Sequence, residues 1–486
     1  MMAKRSPREL IELYWTEVWN NRKVEMIAEL CADPIIRHDP GSVTALSLED
    51  QMARVRQQSE RAEPYFTHEV LCADDTYVTS VWNMHTRKGE RIDLCGIEVF
   101  KAVDGKFTDC WNSSYTPGRW GVEGDSSVPQ DLPEPALIAT VDQITPTWIQ
   151  AMLQHAGVAS PRVSLLANKA IGHGNMSQTI RTQITYNANA ADAVGAVVCK
   201  ITSAIPQAIE MAGAAQVYAR ECAVYEFLGE NPPLATPRAF WRKVSDDGRG
   251  INLVMEDLSE RTRAGDQIAG CSVAEAHAVA AELSKLHAAS WGDPRLEGAS
   301  WLQDRAGGAA ESAQGYAAAA AEFRNRFTGR LAPSVLDAID AFVPRMEAAI
   351  RTAAQGETLV HGEPRVDNVM FEDTPDGPRA WLIDWQFATK ASPMLDLAYF
   401  LAGSLTPDDR RACENALIEA SVATVGKVAP EWTLERARAD YAAALPIALQ
   451  FTVGAIMAMP STEHNDRLLM TLAERNVAAL KDWKLV

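Results

Sequence analysis

The sequence predicts an α+β protein built from at least two domains, and three features of the chain support this class. The chain has 486 residues, whereas single hydrophobic cores stop growing near about 250–300 residues. The part that ends near Tyr115 combines a helical periodicity with a later meander of strand-like runs. Beyond residue 137, a strand-rich stretch to about Leu258 is followed by a long region with mostly helical patterns.

The first domain is predicted to begin with a helix, because Ser6 and Pro7 suit its N-cap and first position. The apolar residues that follow recur on one helical face: Leu10, Ile11, Tyr14, Trp15, Val18 and Trp19. Strand-like runs then lead to Tyr115, with turn signals at Lys88-Gly89 and Asp104-Gly105. We therefore expect a helix-led α+β domain.

A linker is predicted over residues 121–137, within a stretch rich in Pro, Gly, Ser and acidic residues that lacks periodicity. After it, the patterns indicate a helix around Thr145–His155 and then the strand-rich stretch. The apolar run Leu445–Pro460 is shorter than the roughly 20 residues of a membrane span, so we expect a buried helix there.

Charge and cysteine content exclude several classes of function. The formal net charge is −18 and the isoelectric point is about 5.0, which argues against nucleic acid as the main partner because that binding requires clustered Lys and Arg. The eight cysteines form no C-x-x-C pair, which favours reduced thiols and no structural zinc. With no apolar secretory segment at the N-terminus, we expect a cytoplasmic protein that does not enter the membrane.

The residues that carry chemistry lie in the last third of the chain. The segment HGEPRVDNVMF places a carboxylate, Glu363, five residues before an amide, Asn368, and LIDWQF places Asp384 at the end of an apolar run. Phosphoryl transfer needs a carboxylate near the attacking hydroxyl, and oxygen ligands for Mg²⁺. The segment therefore indicates a catalytic loop and a magnesium site.

These motifs, together with LDLAYFL, resemble the aminoglycoside phosphotransferase and choline-kinase-like superfamily, and most closely its ecdysteroid-kinase-like branch. The resemblance covers roughly residues 138–486. It implies a bilobal protein-kinase-like fold, with an N-lobe at 138–258 and a C-lobe with a helical substrate-binding region at 259–486. It also implies ATP and Mg²⁺ as cofactors, with Asn368 and Asp384 as metal ligands.

The resemblance implies a nucleotide site upstream of these motifs. A turn containing Gly172, Gly174 and Ser177 would cover the phosphates, since small residues let backbone amides approach phosphate oxygens. Lys200 would hold the α- and β-phosphates and Glu221 would be its ion-pair partner. The backbone around Glu256 and Leu258 would face adenine. Each of these residues alone also fits an ordinary turn, strand or helix.

The catalytic set implied by the resemblance is Glu363, Asn368, Asp384 and Lys200, with one departure from the family. The family has aspartate at the position of Glu363, and the extra methylene moves the carboxylate by about 1 Å, a displacement that can cost on the order of 100-fold in rate. Either the acceptor hydroxyl lies correspondingly further away or the activity has decayed. We expect the first, because the other site residues are all present.

Residues 8–120 resemble the SnoaL-like, cyclase-type members of the cone-shaped α+β barrel fold shared with nuclear transport factor 2. The resemblance rests on the helix-led start, on IIRHDPG and on GIEVFKAVDGKFTDCWN. It implies acid/base roles for His38 and Asp39, although His-Asp-Pro-Gly also reads as a simple turn. Trp82, Trp111 and Tyr115 suit an apolar ligand, and we expect a homodimer formed through this domain.

The favoured function is thus an ATP-dependent phosphotransferase that acts on a hydroxyl group of a small molecule. The acceptor would be a steroid-, polyketide- or acyl-like alcohol, or an aminoglycoside-like antibiotic. Two alternatives stay open. One is a nucleotide- or ligand-binding module without turnover, and the other is a cyclase or isomerase in the N-terminal domain (residues 1–120) with an auxiliary kinase domain.

Overall fold

The computed structural model describes residues 4–89, 91–120, 132–172, 176–187 and 193–486. By its internal contacts the chain divides into two compact units. The first comprises Met1–Ala136, Thr140–Ala170 and Ile180–Val197, and the second comprises Leu137–Ala139, Ile171–Thr179 and Val198–Val486. The predicted linker lies outside the described residues over 121–131. The domain boundaries given above stay predictions.

The N-terminal elements begin with a capped helix, as the sequence predicts. The Ser6 side chain accepts a hydrogen bond from the Glu9 amide, the Glu9 carboxylate accepts one from the Ser6 amide, and Pro7 is the first helical residue. The elements are α1 (Pro7–Leu13), a π-helical turn (Tyr14–Asn20), α2 (Ile27–Leu30), β1 (Cys31–Asp39), β2 (Ser42–Leu46), α3 (Leu48–Ala62), β3 (Pro64–Ala73), β4 (Tyr77–Thr86), β5 (Asp93–Val103), β6 (Lys106–Asn112) and β7 (Thr116–Pro117).

These strands form one sheet in the order β2-β1-β6-β5-β4-β3, with β7 paired to β5. The β1–β6 pair is parallel and the other pairs are antiparallel. Asp104 and Gly105 both have positive φ, 54° and 80°, as a tight hairpin turn requires. The α+β class is confirmed. The sheet is open rather than a closed barrel, because no pairing joins the edge strands β2 and β3 in the described part of the chain.

The following elements include a five-stranded sheet in the order β11-β12-β10-β9-β8. Their bounds are α4 (Pro146–His155), β8 (Val163–Ile171), β9 (Ser177–Tyr186), β10 (Ala196–Thr202), α5 (Pro206–Ala214), α6 (Val217–Leu228), β11 (Ala239–Val244) and β12 (Ile251–Glu256). The predicted helix at Thr145–His155 is α4, for which Thr145 is the N-cap.

The rest of the second unit is mostly helical, as expected, with short strands around the catalytic motifs. Its elements are β13 (Arg263–Ala264), α7 (Val273–Ser290), α8 (Ala309–Phe327), α9 (Pro333–Ala341), α10 (Met346–Ala353), β14 (Thr358–Val360), β15 (Val369–Thr374), β16 (Gly377–Leu382), β17 (Thr389–Ala391), α11 (Met394–Ser404), α12 (Pro407–Val425), α13 (Leu434–Gly454) and α14 (Glu463–Asp482). Strands β13, β15 and β16 form one sheet, and β14 pairs with β17.

Helix α13 contains most of the apolar run that the sequence predicts to be a buried helix. Among the described residues, Leu434–Met457 is the one helical stretch whose length and composition would allow it to cross a membrane. Tyr441, Leu445, Leu449 and Val453 of this helix belong to the hydrophobic core of the second unit. Helix α13 is therefore a core helix in this structure.

Candidate active site

A buried ion pair joins β10 to α6. The Lys200 Nζ atom lies 2.8 and 2.7 Å from the two carboxylate oxygens of Glu221. Side chains on a strand alternate between its two faces, and Val197, Cys199 and Ile201 point into the core with no exposed surface. Lys200 therefore points to the opposite face of β10. Its side chain is 12% exposed and that of Glu221 is 2% exposed, so the pair is held largely away from water.

Asp384 extends this ion pair to a cluster of three charges. Its Oδ1 atom lies 3.0 Å from the Lys200 Nζ atom. Burial alone would lower the pKa of the Lys200 ammonium, but the carboxylates of Asp384 and Glu221 together raise it. Lys200 is therefore a permanent cation at neutral pH, as expected of a group that binds phosphate.

The backbone of Asp384 has a positive φ of 68°. Few residues other than glycine adopt this conformation, although Asp and Asn do so at lower cost. Such strained residues cluster at functional sites. The conformation sets the direction in which the Asp384 carboxylate leaves the chain, two residues after the end of β16.

The loop that follows β14 is fixed by Asp396 on α11. The amides of His361 and Gly362 donate hydrogen bonds of 2.8 Å to its two oxygens. The His287 Nε2 atom of α7 lies 2.9 Å from the same carboxylate. Burial alone would raise the pKa of Asp396, but the hydrogen bond and charge of His287 hold it below its usual value. An anionic Asp396 thus anchors the loop that carries Glu363.

Asn368 lies beside Asp384 through a backbone contact. The Ile383 amide, one residue before Asp384, donates a 3.1 Å hydrogen bond to the Asn368 carbonyl. The Asn368 Nδ2 atom donates to the Glu363 carbonyl at 3.0 Å. Because the amide nitrogen is used in this way, the Asn368 Oδ1 atom is the group left to bind a cation.

The Glu363 carboxylate is half-buried and has a phenol and two guanidinium groups as neighbours. The Tyr399 hydroxyl donates to its Oε1 atom at 3.3 Å. Burial raises the pKa of Glu363 to about 7, against the opposing positive charges of Arg365 and Arg305. Arg305 donates to the carbonyls of Gly362 and Phe387. A carboxyl group that titrates near neutral pH is well suited to general base chemistry.

Sequence reasoning missed Tyr399 and Arg305 as parts of this site. Tyr399 lies three residues after Asp396 on α11, a spacing that places both on one helical face. That spacing was the available signal for Tyr399, since LDLAYFL contains both residues. No local pattern marks Arg305, which reaches the loop from the segment before α8.

The predicted phosphate-covering turn lies between β8 and β9. Gly172 has a φ of 78°, a conformation that favours glycine, and Ser177 is the first residue of β9. The Tyr218 hydroxyl of α6 donates to the Met176 carbonyl, and this bond ties the turn to the helix that carries Glu221. Gly174 lies outside the described residues.

The predicted adenine-facing segment follows β12. The Glu256 amide donates to the Arg238 carbonyl at 2.9 Å. The Leu258 carbonyl accepts bonds from the amides of Arg261 and Thr262. These two backbone groups are therefore occupied within the chain, so an adenine base would use other backbone groups of this segment.

Two oxygen-bearing side chains of the site could hold a metal ion. Among the described residues, no group of three or more His, Cys, Asp or Glu side chains could hold a metal ion. Mg²⁺ usually keeps several waters and binds one or two protein oxygens together with substrate phosphates. The Asn368 Oδ1 atom and the Asp384 carboxylate therefore fit Mg²⁺ that arrives with a nucleotide.

A small cavity of about 40 Å³ adjoins Glu363 in the second unit. Glu363, Arg365 and Tyr399 line one side of it. The other side is mostly apolar and comes from α13, α14 and the turn between them: Ala448, Phe451, Thr452, Ala455, Met459, Leu468, Leu469, Leu472 and Asn476. The carboxylate of Glu363 thus faces a largely hydrophobic space.

The N-terminal elements enclose a separate cavity of about 310 Å³. Trp82 and Tyr115 line it, as the sequence suggests, whereas Trp111 does not. His38 and Asp39 are also absent from its lining. The His38 ring stacks on Trp111, with its Nε2 atom 3.1 Å from Asp109, and Asp39 accepts a 2.8 Å hydrogen bond from Arg37.

The carboxyl group that does face this cavity is Glu98 on β5, which sequence reasoning missed. Its side chain is 5% exposed, and the Tyr115 hydroxyl donates to it at 3.1 Å. Arg37 donates in turn to the Tyr115 hydroxyl at 3.2 Å. Burial raises the pKa of Glu98 to about 7, against the positive charges of Arg54 and Arg37.

Two family models match the chain. Residues 172–422 match the ecdysteroid kinase-like family, over more than half of the chain, and residues 12–110 match the SnoaL-like domain. A search of curated proteins found no match.

Several solved structures are similar to part of the chain. A proposed polyketide cyclase from Acidithiobacillus ferrooxidans is 20% identical, with 23% of this chain and 89% of that chain covered and a TM-score of 0.21. An epoxide hydrolase from M. tuberculosis is 16% identical, with 21% and 78% covered and a TM-score of 0.20. A proposed ketosteroid isomerase from Kribbella flavida is 18% identical, with 26% and 90% covered and a TM-score of 0.21.

Proposed function

The chain belongs to the ecdysteroid kinase-like family, and from this premise we propose that it transfers a phosphoryl group from ATP to a hydroxyl group of a small molecule. The observation that carries the proposal is the cluster of Lys200, Glu221 and Asp384. Phosphoryl transfer depends mainly on positioning and on charge stabilisation. Lys200, held between the carboxylates of Glu221 and Asp384, provides charge stabilisation. Glu363, a carboxyl group with a raised pKa, can position the acceptor hydroxyl.

In this mechanism Glu363 accepts the proton of the acceptor hydroxyl. The hydroxyl oxygen bonds to the γ-phosphorus as the bond to the β–γ bridging oxygen breaks, and the products are ADP and a phosphate monoester. Lys200 is oriented by Glu221 to hold the phosphates. Asn368 and Asp384 would hold Mg²⁺, which neutralises phosphate charge when bound. Tyr399 holds the Glu363 carboxylate, and Arg305 holds the backbone of the preceding residue, Gly362.

The small cavity has room only for the part of an acceptor beside its hydroxyl group, and its mostly apolar lining supports a mainly apolar acceptor, such as a steroid-, polyketide- or acyl-like alcohol. An aminoglycoside carries several positive charges, and a site for it would need several carboxylates. Among the described residues, Glu363 is the one acidic side chain in this lining, and Arg365 also contributes to it. A cation would therefore meet as much positive as negative charge there.

The test is magnesium-dependent release of ADP with a panel of alcohols that spans these classes. We expect turnover with an apolar alcohol and none with aminoglycosides. The test variant is Asp384→Asn, which should lose turnover. The control variant is Asp373→Asn, which removes an exposed carboxylate of β15 and should keep turnover. ATP binding without turnover on any alcohol would favour the alternative of a binding module. Equal activity of both variants would remove Asp384 from the site.

A second activity, a cyclase or isomerase in the N-terminal domain, is supported by Glu98 alone. A buried carboxyl group with a pKa near neutrality can take a proton from a carbon next to a carbonyl group and return it elsewhere. The test is deuterium loss from an α-deuterated cyclic ketone. Glu98→Gln should abolish the exchange, whereas Asp109→Asn, outside the cavity lining, should not. Exchange that survives in Glu98→Gln would contradict this role.

We propose that the protein is a homodimer and lies in the cytoplasm, and one observation supports each proposal. Large apolar side chains are exposed on the N-terminal sheet, where a second copy could cover them: Val70, Tyr77, Ile97, Val103 and Trp111. All eight cysteines are free, which supports a reducing compartment. Sedimentation analysis of wild type and Ile97→Lys would test the dimer, since a charge on this face should yield monomers.

A further inference from the structure

The N-terminal cavity has an apolar body, to which the aromatic side chains of Trp15, Phe66, Trp82 and Phe100 contribute. Its volume of about 310 Å³ lies at the lower end of the range for small-molecule sites, roughly 300–1,000 Å³. A ligand that fills this space must therefore be compact and must present mainly hydrocarbon or ring surface.

One side of the cavity is polar, and a single helix supplies it. Gln51, Arg54, Gln58 and Arg61 of α3 all line the cavity. Their spacings of three, four and three residues place them on one helical face. Exposure increases along this stripe, because Gln51 is buried, Arg54 is half-buried, and Gln58 and Arg61 are exposed. The stripe therefore runs from the interior of the cavity to its mouth.

Two positive charges of this stripe have no hydrogen-bonded or ion-paired partner among the described residues. Neither Arg54 nor Arg61 donates a hydrogen bond to a described residue or forms an ion pair with one, although Arg54 lies 5.6 Å from the Trp19 ring centre. By contrast, Arg37, the third guanidinium of the lining, is paired with Asp39 at 2.8 Å. A half-buried guanidinium without a counter-ion loses hydration and regains it only from an anion.

The lining has little negative charge to offset these two groups. Glu98 is the one acidic side chain among the described residues of the lining, and with a pKa of about 7 it is protonated in a large fraction of molecules near neutral pH. The whole chain carries a net charge of −18, so a positive cavity runs against the average charge of the protein. Local attraction of an anion is the physical consequence of this arrangement.

We infer that the N-terminal cavity binds a compact, ring-containing organic anion, with its rings among the aromatic side chains and its acidic group on Arg54 and Arg61. The inference holds whether or not Glu98 catalyses a reaction, and it is independent of phosphoryl transfer in the second unit. It specifies the charge and polarity of the ligand, neither of which follows from the match to a SnoaL-like domain.

The experiment uses a matched pair of fluorescent probes on the full-length chain. Anilinonaphthalene sulfonate has two aromatic ring systems and a sulfonate group, and N-phenylnaphthylamine has the same rings without the charge. We expect the sulfonate to bind more tightly than the neutral probe to wild type. Added salt should weaken only the sulfonate, because screening acts on charge pairs.

Arg54→Gln and Arg61→Gln are the test variants, and Arg56→Gln is the control. Arg56 lies on the same helix, is exposed, pairs with Glu25 and does not line the cavity. Loss of one charge-assisted hydrogen bond should weaken sulfonate binding by about tenfold in Arg54→Gln. Binding of the neutral probe should not change. Circular dichroism of each variant shows whether the fold is kept.

Three outcomes would overturn the inference. The first is sulfonate binding that is the same in wild type, Arg54→Gln and Arg61→Gln. The second is an equal loss of both probes in Arg54→Gln, which would indicate a change in cavity shape rather than in charge. The third is an equal loss of sulfonate binding in Arg56→Gln, which would indicate general attraction to the helix surface.

Discussion

At the scale of single residues, the protonation state of Glu363 should control the rate of phosphoryl transfer. Burial raises the pKa of this carboxyl group to about 7, and only its ionised form can accept a proton. The turnover rate should therefore fall as the pH decreases from 8 to 6, with its midpoint near 7. Glu363→Gln should lower kcat by about 100-fold or more, and the remaining rate should lose this pH dependence. Steady-state kinetics against pH measure both effects.

The variant Glu363→Asp tests whether the longer side chain is an adaptation. If the acceptor site is set for glutamate, the shorter carboxylate should be slower, since misplacement by about 1 Å can cost on the order of 100-fold. The same change at an exposed glutamate of α13, Glu435→Asp, provides the control. A Glu363→Asp variant that is faster than wild type would show that the natural enzyme is impaired.

Another prediction at this scale concerns the backbone at Asp384, whose φ is 68°. Asn tolerates this conformation better than Ala does, because a left-handed conformation costs most other residues about 1–2 kcal/mol. Asp384→Asn and Asp384→Ala should both lose magnesium-dependent turnover, but the Ala variant should be less stable by about 1 kcal/mol. Chemical denaturation measures the difference. Equal stability of the two variants would mean that the backbone relaxes at this position.

Some site residues could be predicted from the sequence and others could not. Lys200, Asn368 and Asp384 lie in motifs where residue type and spacing carry the signal, and the structure brings them together with Glu221. Arg305 and Glu98 carry no such signal, because their importance comes from burial and from contacts with residues distant in sequence. A raised pKa is a property of the folded environment and not of the local sequence.

At the scale of elements, the loop between β14 and β15 depends on the start of α11. Asp396 accepts bonds from the His361 and Gly362 amides and faces His287. In Asp396→Asn, the side-chain amide nitrogen would face a backbone N–H donor. Removing one charge of a buried pair typically costs about 3–5 kcal/mol. We expect a loss of about 3 kcal/mol in the free energy of unfolding, together with lower kcat. Denaturation and kinetics of Asp396→Asn and Asp373→Asn test this.

The same contact predicts a pH dependence of stability. The pKa of Asp396 is lowered in the folded chain, so its stabilising contribution is present above the unfolded value near 4 and is lost as the pH falls through the folded value. Wild type should therefore lose more stability on acidification than Asp396→Asn does. Parallel acid curves for the two proteins would show that Asp396 is not the group responsible.

The types of the N-terminal elements were easier to predict than whether their strands close into a barrel. Helix α1 has a complete capping box in its sequence, and the hairpin at Asp104-Gly105 has the residues that positive φ values require. Closure of the N-terminal strands into a barrel depends on pairing between β2 and β3, which are far apart in sequence and joined by α3. No local signal fixes such a pairing, and the sheet is open in the part of the chain that the structure describes.

At the scale of the whole molecule, two large hydrophobic cores are separate from one another among the described residues. One includes Leu10, Trp15, Phe66 and Phe107, and the other is built from residues between Ala212 and Leu480. The two cores share no residue, so each part has the means to fold alone. The predicted domain boundary and the division by internal contacts differ, however, because the second places Thr140–Ala170 and Ile180–Val197 with the N-terminal residues.

Two fragments distinguish these boundaries, and a nucleotide reports which one preserves the site. A fragment of residues 132–486 keeps β8 and β9, whereas residues 198–486 lack both, begin inside β10 and leave it without its β9 partner. An unpaired strand edge favours aggregation, so we expect only the longer fragment to be monodisperse.

At roughly a hundredfold excess over Kd, a ligand stabilises its site by about 2.7 kcal/mol. MgATP should therefore raise the melting temperature of fragment 132–486 as much as that of the full chain, and leave fragment 1–120 unchanged. If fragment 132–486 aggregates while the full chain is soluble, the predicted boundary is wrong. If it folds but does not respond to MgATP, the nucleotide site is not contained in these residues.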